Sequence, residues 1–354
     1  MKLFSKSSVL VIYTGGTIGM IKDVETGLLI PFNFDKVHEY LPSQKLFGFN
    51  IESFSFDPVI DSSDMHPRHW INIAQLIYDQ YENHNGFVVL HGTDTMAYTA
   101  SALSFMLENL NKPVVLTGSQ LPLGMLRTDG RENFVTALEI AAATIDGTAI
   151  VPEVAVYFEN QLMRGNRTIK FNAEDFEAFR SPNYDPLATV GIHIKYNHSQ
   201  IRKSNFKKLV LNTNLCTDIA ILKLFPGITK KTIEAILNTE GLRGVVLETY
   251  GTGNAPTEPW ILNTFADAIK RGIVILNVTQ CHGGRVEMEK YQTGFALKKI
   301  GILSGSDITT EAAVTKLMYV LGNYQKYDDV VMALTTPLAG EMNNKGAVDN
   351  VDFY

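Results

Sequence analysis

"SVLVIYTGGTIGM", residues 8–20, is a short β-branched run that ends in a glycine turn. The run reads as a buried strand, and the turn offers Thr14, Gly15, Gly16, Thr17 and Gly19 at its exit. Three uses of such a turn compete: holding a phosphate, reversing the chain, or presenting a hydroxyl to a substrate. The dinucleotide fingerprint needs three glycines and then a helix whose N-terminus meets the pyrophosphate. Here Thr14 replaces the first glycine. The following "IKDVETGLLIPFNF" (21–34) carries Gly27 and Pro31 and makes a poor helix. No Gly-Lys-Ser/Thr follows, so a Walker loop is excluded. A plain reversal explains two glycines at φ > 0 but not a threonine on each side.

The pattern repeats along the chain. "FVVLHG" (87–92), "PVVLTG" (113–118) and "EVAVYF" (153–158) read as strands, and 95–110 and 132–143 as helices with apolar residues three and four apart. The second half has strands at 218–225, 244–250 and 272–278 and helices at 229–237, 260–272 and 309–323. Near-continuous apolar strands predict parallel sheets covered on both faces. The expected fold class is α/β, with two α/β domains and mainly parallel sheets. A larger N-terminal domain, 1–197, carries the site loops. The polar, basic stretch around "KYNHSQIRKSNFKK" marks a linker, 198–216, and a smaller C-terminal domain spans 217–354. Ligands in such sheets sit beyond the carboxyl ends of the strands, where "TGGTIG", "HGTDT" and "TGSQ" are expected to share one edge.

Composition narrows the partners. The net charge of −6 gives no basic surface for duplex nucleic acid. Two cysteines, Cys216 and Cys281, are too few for a disulfide framework. No signal peptide or membrane span is legible, so a soluble, cytoplasmic protein is expected.

Three further stretches carry chemistry. "HGTDT" places Thr93 and Asp94 between a strand and a helix, where either side chain is expected to cap the helix. A cap needs only one oxygen, and the helix N-terminus also favours a developing anion. "MRGNRTIK" (163–170) brings Arg164, Arg167 and Lys170 at intervals of three. It reads as a solvated basic face, or as a loop that delivers a lysine base to a carboxylate and a threonine. "VIDSSDM" (59–65) clusters Asp61, Ser62 and Ser63 ahead of a helix start at Pro67. It is a turn, or a grip for a zwitterion. "DMHPRH" lacks a fourth metal ligand, and Cys281 beside His282 reads as structural.

Together "TGGTIGM", "DSSDM", "GFVVLHGTDTMAYTASALSFMLENL", "LTGSQLPL", "RGNRT", "YGTGNAP" and "TQC" resemble the bacterial-type L-asparaginase family over nearly the whole chain, most closely its type I, cytoplasmic branch. The resemblance implies hydrolysis of L-asparagine to L-aspartate and ammonia. It implies Thr17 as nucleophile, Thr93, Asp94 and Lys170 as a catalytic relay, and Gly16, Asp61, Ser62, Ser63, Thr93 and Asp94 around the substrate. It further implies Asn254 reaching the site of a neighbouring copy in a homo-oligomer, a dimer or tetramer. No cofactor and no metal is expected. The alternatives are a glutaminase or related amidase on the same scaffold, or a non-catalytic amino-acid-binding protein.

Two departures stand out. Family members carry a tyrosine in the lid before an Ile-Pro step; the lid expected here, Met20 to Phe34, has Leu28 and Leu29 instead, and Tyr13 and Tyr40 are the nearest tyrosines. Some type I members bind a second asparagine through an arginine, a threonine and a cysteine. Here those positions are Glu248, Ile169 and Cys281. A carboxylate at 248 repels the effector's carboxylate, so that switch is expected to be absent or to take another effector.

Overall fold

A computed structural model of the protein describes residues 7–22, 26, 29–31 and 48–343. The chain divides into two compact units, Met1–Thr213 and Asn214–Tyr354.

The first unit is built on an eight-stranded sheet. Its strands are β1 (Ser8–Tyr13), β2 (Asn50–Ser55), β3 (Gly86–Leu90), β4 (Val114–Thr117), β5 (Val154–Phe158), β6 (Gln161–Arg164), β7 (Ala188–Val190) and β8 (Ile194–Tyr196). The spatial order is 8-7-6-5-4-3-1-2. Strands β2, β1, β3, β4 and β5 pair in parallel, and β6, β7 and β8 continue antiparallel. The sheet is thus mainly parallel, as its apolar strands predict. The antiparallel end was not legible, because β7 and β8 are three-residue strands with exposed positions.

Both faces of the parallel part are covered. Val9, Val11, Tyr13, Val88, Leu90, Val115 and Ala155 pack against Phe134, Ala137, Leu138 and Ala141 of helix Gly130–Ala142. The alternate residues Leu10, Ile12, Phe87, Val89 and Leu116 point the other way and are equally buried. That face is covered by the helices Pro67–Asp79 and Met96–Met106. In chain order these are α1 (Pro67–Asp79), α2 (Met96–Met106) and α3 (Gly130–Ala142). Helix α2 is buried almost all round, which explains why its sequence has no clear polar stripe.

The decisive feature of this topology lies at β1. The chain leaves β1 to form β2 on one side and returns to form β3 on the other. The strand order reverses there, and in such sheets ligands sit beyond the carboxyl ends of the strands at that point, here those of β1 and β3. The turns after these two strands, Thr14–Thr17 and His91–Asp94, therefore face each other.

The second unit is a four-stranded parallel sheet in sequence order: β9 (Ile219–Lys223), β10 (Gly244–Thr249), β11 (Val274–Thr279) and β12 (Leu303–Ser304). Helices α4 (Lys230–Leu237), α5 (Pro259–Lys270), α6 (Gln292–Lys299), α7 (Thr310–Asn323) and α8 (Tyr327–Thr335) flank it. Ile233, Phe265, Val245, Leu247 and Ile275 form its core. Among the described residues no helix is long and apolar enough to cross a membrane.

Candidate active site

Threonine 14 is a structural residue. It is buried, and both its N–H and its hydroxyl donate to the Leu90 carbonyl, at 3.0 and 2.9 Å. This stitches the β1 turn to the end of β3. Thr17 opens a single 3-10 turn, Thr17–Gly19, and is half-buried. Among the described residues no hydrogen bond engages its hydroxyl. The turn is braced from below: the Tyr13 hydroxyl donates to the Gly19 carbonyl at 3.1 Å. Burial pushes the Tyr13 phenol up to about 12, so it stays a donor.

Glycine is required where the turns meet. Gly16 has φ +91°, and a Cβ there would lie 2.5 Å from the Gly92 Cα. A Cβ on Gly92 would in turn lie 2.4 Å from the Ser62 Oγ. The loop after β1 therefore meets those after β2 and β3 through backbone, at Ile60 and Gly92, and the Ser62 side chain packs on Gly92. Of the three loops expected at one edge, "TGGTIG" and "HGTDT" meet here, and "TGSQ" closes against the second, where a Cβ on Gly118 would lie 2.3 Å from the His91 carbonyl oxygen; the loop after β2 is not among those expected.

The loop after β3 does not behave as a helix cap. Neither Thr93 nor Asp94 makes a side-chain cap; Thr95 occupies the N-cap position of α2, and its hydroxyl donates instead to the Ser62 carbonyl at 2.6 Å. Thr93 and Asp94 are turned toward Lys170. The Lys170 Nζ donates to the Thr93 Oγ1 at 2.9 Å and to the Asp94 carboxylate at 2.6 Å. An alcohol, a carboxylate and an amine thus meet beside the two glycine turns, brought together from positions 76 residues apart.

Lys170 arrives by a route that differs from the sequence expectation. "MRGNRTIK" is neither a solvated basic face nor one loop. It comprises the end of β6, a 3-10 turn at Gly165–Arg167 and a short strand, Ile169–Lys170. Arg164 and Arg167 are buried. The Arg164 Nε donates to the Glu153 carboxylate at 2.6 Å, and both guanidiniums lie over the Tyr184 ring. These two cations anchor the turn, which leaves Lys170 facing the site.

The Asp61-Ser62-Ser63 stretch forms a 3-10 turn. The Asp61 Oδ1 accepts from the Ser63 N–H at 2.9 Å and from the Ser63 hydroxyl at 2.8 Å, and these bonds hold its carboxyl below its ordinary range. Asp61 is therefore an ionised, exposed carboxylate suited to an ammonium. His66 and His69 cap α1; among the described residues no His/Cys/Asp/Glu cluster could hold a metal ion.

Two residues packed around these turns escaped sequence reasoning. His91 is fully buried behind Gly92. Its Nδ1 lies 2.6 Å from the Gly92 carbonyl and its Nε2 2.8 Å from the Thr99 hydroxyl, which also accepts from the Trp70 indole N–H. Burial holds the imidazole down near a pKa of about 4, hence neutral. Its position in "HGTDT" was the only signal. Gln120, in the "TGSQ" loop, lies 3.4 Å from the Thr93 hydroxyl.

Of the expected lid, Met20–Lys22 and Leu29–Pro31 pair antiparallel; residues 23–25, 27, 28 and 32–34, with Tyr40, lie outside the described residues. Asn254 belongs to the second unit, in a bridge with Tyr250, and its side-chain oxygen accepts from Thr293 at 2.6 Å. Glu248, at the end of β10, accepts from the Thr310 hydroxyl at 2.8 Å and pairs with Lys223 at 3.2 Å, so a carboxylate does occupy that strand end. Cys281, expected as a structural residue, is exposed in the turn beyond β11.

The sequence matches two family patterns: "Asparaginase, N-terminal" over residues 8–202 and "Glutaminase/Asparaginase C-terminal domain" over residues 218–334. It is 41% identical over 340 residues to L-asparaginase 1 of Escherichia coli K12, covering 95% of this chain and 98% of that one. It is 43% identical to the 60 kDa lysophospholipase of Mus musculus, covering 94% of this chain and 62% of that one. The crystal structure of L-asparaginase I from Vibrio cholerae superposes with a TM-score of 0.87 at 39% identity, covering 96% of this chain and all of that one. With its reversed strand order, its glycine-packed turns, both family patterns and its near-full-length likeness to the two L-asparaginases, the chain belongs to the asparaginase family of amidohydrolases.

Proposed function

We propose that the protein hydrolyses L-asparagine to L-aspartate and ammonia, with Thr17 as a nucleophile that is acylated and then freed by water. The observation that supports this reading most is the Lys170–Thr93–Asp94 cluster on the loop packed against the Thr17 turn. Thr17 is a weak nucleophile until its proton has somewhere to go; a positioned acceptor contributes roughly 10²–10⁴-fold. Backbone N–H groups of the two glycine turns are available to the oxyanion, each such donor being worth about 10²–10³ in rate. Asp61 supplies the negative charge for the α-ammonium, and Ser62 and Ser63 supply hydroxyls beside it. Asn254 of a neighbouring copy completes the site in a cytoplasmic homo-oligomer, a dimer or tetramer.

The test is ammonia release from asparagine and from glutamine by the purified protein. Asparagine is the better substrate by kcat/KM. Thr17→Ala and Lys170→Ala each lose at least a thousandfold in kcat while keeping the wild-type melting temperature within a few degrees. Full activity in Thr17→Ala refutes the nucleophile. Aspartate binding without turnover in the wild type favours a binding protein instead.

A further inference from the structure

The Thr93 hydroxyl has one proton to give and two lone pairs to offer. Lys170 donates into one lone pair at 2.9 Å. The proton points elsewhere, to the Gln120 Oε1 at 3.4 Å. The orientation of that carboxamide is not arbitrary. Its nitrogen lies 3.2 Å from the Ala173 carbonyl and 3.0 Å from the Asp175 carbonyl. Two carbonyl oxygens accept only from an NH₂ group, so the amide oxygen must face Thr93.

The residue that carries this amide is itself fixed. The Gln120 N–H donates to the Asp129 Oδ2 at 2.9 Å and the Leu121 N–H to the Asp129 Oδ1 at 3.0 Å. Asn133 on α3 donates to the Gly118 carbonyl at 3.1 Å. The segment on the other side is closed as well. Beyond Lys170 the chain folds back, with the Phe171 N–H on the Ala178 carbonyl and the Asn172 Oδ1 taking the Glu174 and Asp175 N–H groups. Gln120 therefore spans three elements: the loop after β4, the threonine of the loop after β3, and the turn that follows the lysine.

We infer that Gln120 is a positioning residue: its carboxamide sets the direction of the Thr93 hydroxyl and ties that hydroxyl to the turn that carries Lys170. Removing the amide leaves the Thr93 proton to rotate into the space where a proton from the nucleophile must arrive. It also releases the 173–175 carbonyls, so the lysine and the threonine lose their common brace. Misplacement of about 1 Å at such a site costs roughly 10²-fold; the loss of one brace among several is expected to cost about tenfold. The inference rests on the proposed reaction, because Thr93 matters only as part of that relay.

The experiment compares wild type with Gln120→Met, which keeps length and apolar packing and removes both the acceptor and the donors, and Gln120→Glu, which keeps shape and the acceptor toward Thr93 but replaces the two N–H donors by a negative charge facing the 173 and 175 carbonyls. Both are expected to lower kcat for asparagine about tenfold. KM, the Kd for aspartate and the melting temperature stay within twofold and about 2 °C of wild type. A kcat within twofold of wild type in both variants overturns the inference, as does a rise in KM and Kd that accounts for the whole loss. A wild type with no asparagine hydrolysis fells the functional reading and this inference with it. An active wild type, a dead Thr17→Ala and an unimpaired Gln120→Met fell the inference alone.

Discussion

Replacing Gly16 by alanine tests whether the close approach of two backbones makes the site. Two costs enter. At φ +91° a Cβ is strained, by about 1–2 kcal/mol. The same Cβ would also lie 2.5 Å from the Gly92 Cα and 2.5 Å from its nitrogen, against the 3.4 Å where ordinary contact begins. The obstruction is backbone and cannot rotate away, so the turns must part by about 1 Å. Thr17 follows Gly16 directly and Thr93 follows Gly92, so the proposed nucleophile and the Lys170–Thr93–Asp94 cluster are pushed apart by that distance. A shift of this size is worth roughly 10²-fold in rate. Gly147→Ala is the control: φ there is +76°, and nothing lies within 4 Å of its Cβ. It incurs the strain without the collision. Ammonia-release kinetics and thermal melting on both variants should show kcat/KM down about a hundredfold for Gly16→Ala and unchanged for Gly147→Ala, with both modestly destabilised. Retention of a third or more of wild-type kcat/KM by Gly16→Ala refutes the reasoning, as does an equal loss in Gly147→Ala.

Two further outcomes concern stability. Burial lowers the His91 pKa from 6.5 to about 4, so between these values the unfolded chain binds a proton that the folded protein refuses. The stabilisation is therefore complete above pH 6.5 and lost as pH falls toward 4; urea unfolding from pH 7 to 4 should cost wild type roughly 3 kcal/mol more than His91→Gln, and parallel curves refute it. In the second unit, Lys316 and Glu341 are wholly buried and paired at 2.6 Å, and Glu341 also accepts the Leu338 and Ala339 N–H groups. Glu341→Ala strands a buried ammonium and should cost about 3–5 kcal/mol in denaturant unfolding; a loss under about 1 kcal/mol refutes that reading.

The parallel strands and the loops at their ends were legible because they are local. An apolar run at 8–13, 86–90 or 114–117 is buried on both faces wherever it sits in the sheet, and its exit turn needs glycine or a short polar residue. Those signals need no knowledge of the partner strand. The motifs likewise carry Thr17, Asp61, Thr93, Asp94 and Lys170 as candidates in the sequence alone.

What lay beyond the sequence is what depends on contacts across long separations. Arg164, Arg167 and Lys170 are three equally spaced cations in the sequence. Only the fold buries the first two against Glu153 and Tyr184 and leaves the third beside Asp94. Thr93 and Asp94 read as a helix cap because capping is a local rule. A lysine 76 residues away competes for the same oxygens and wins with a charge-assisted bond. Gly16 and Gly92 look like two unrelated turn glycines until β1 and β3 are neighbours. Side-chain type and backbone propensity are properties of a position and its few neighbours, whereas proximity, burial and the direction of a hydroxyl proton are set by segments that meet only when the sheet closes.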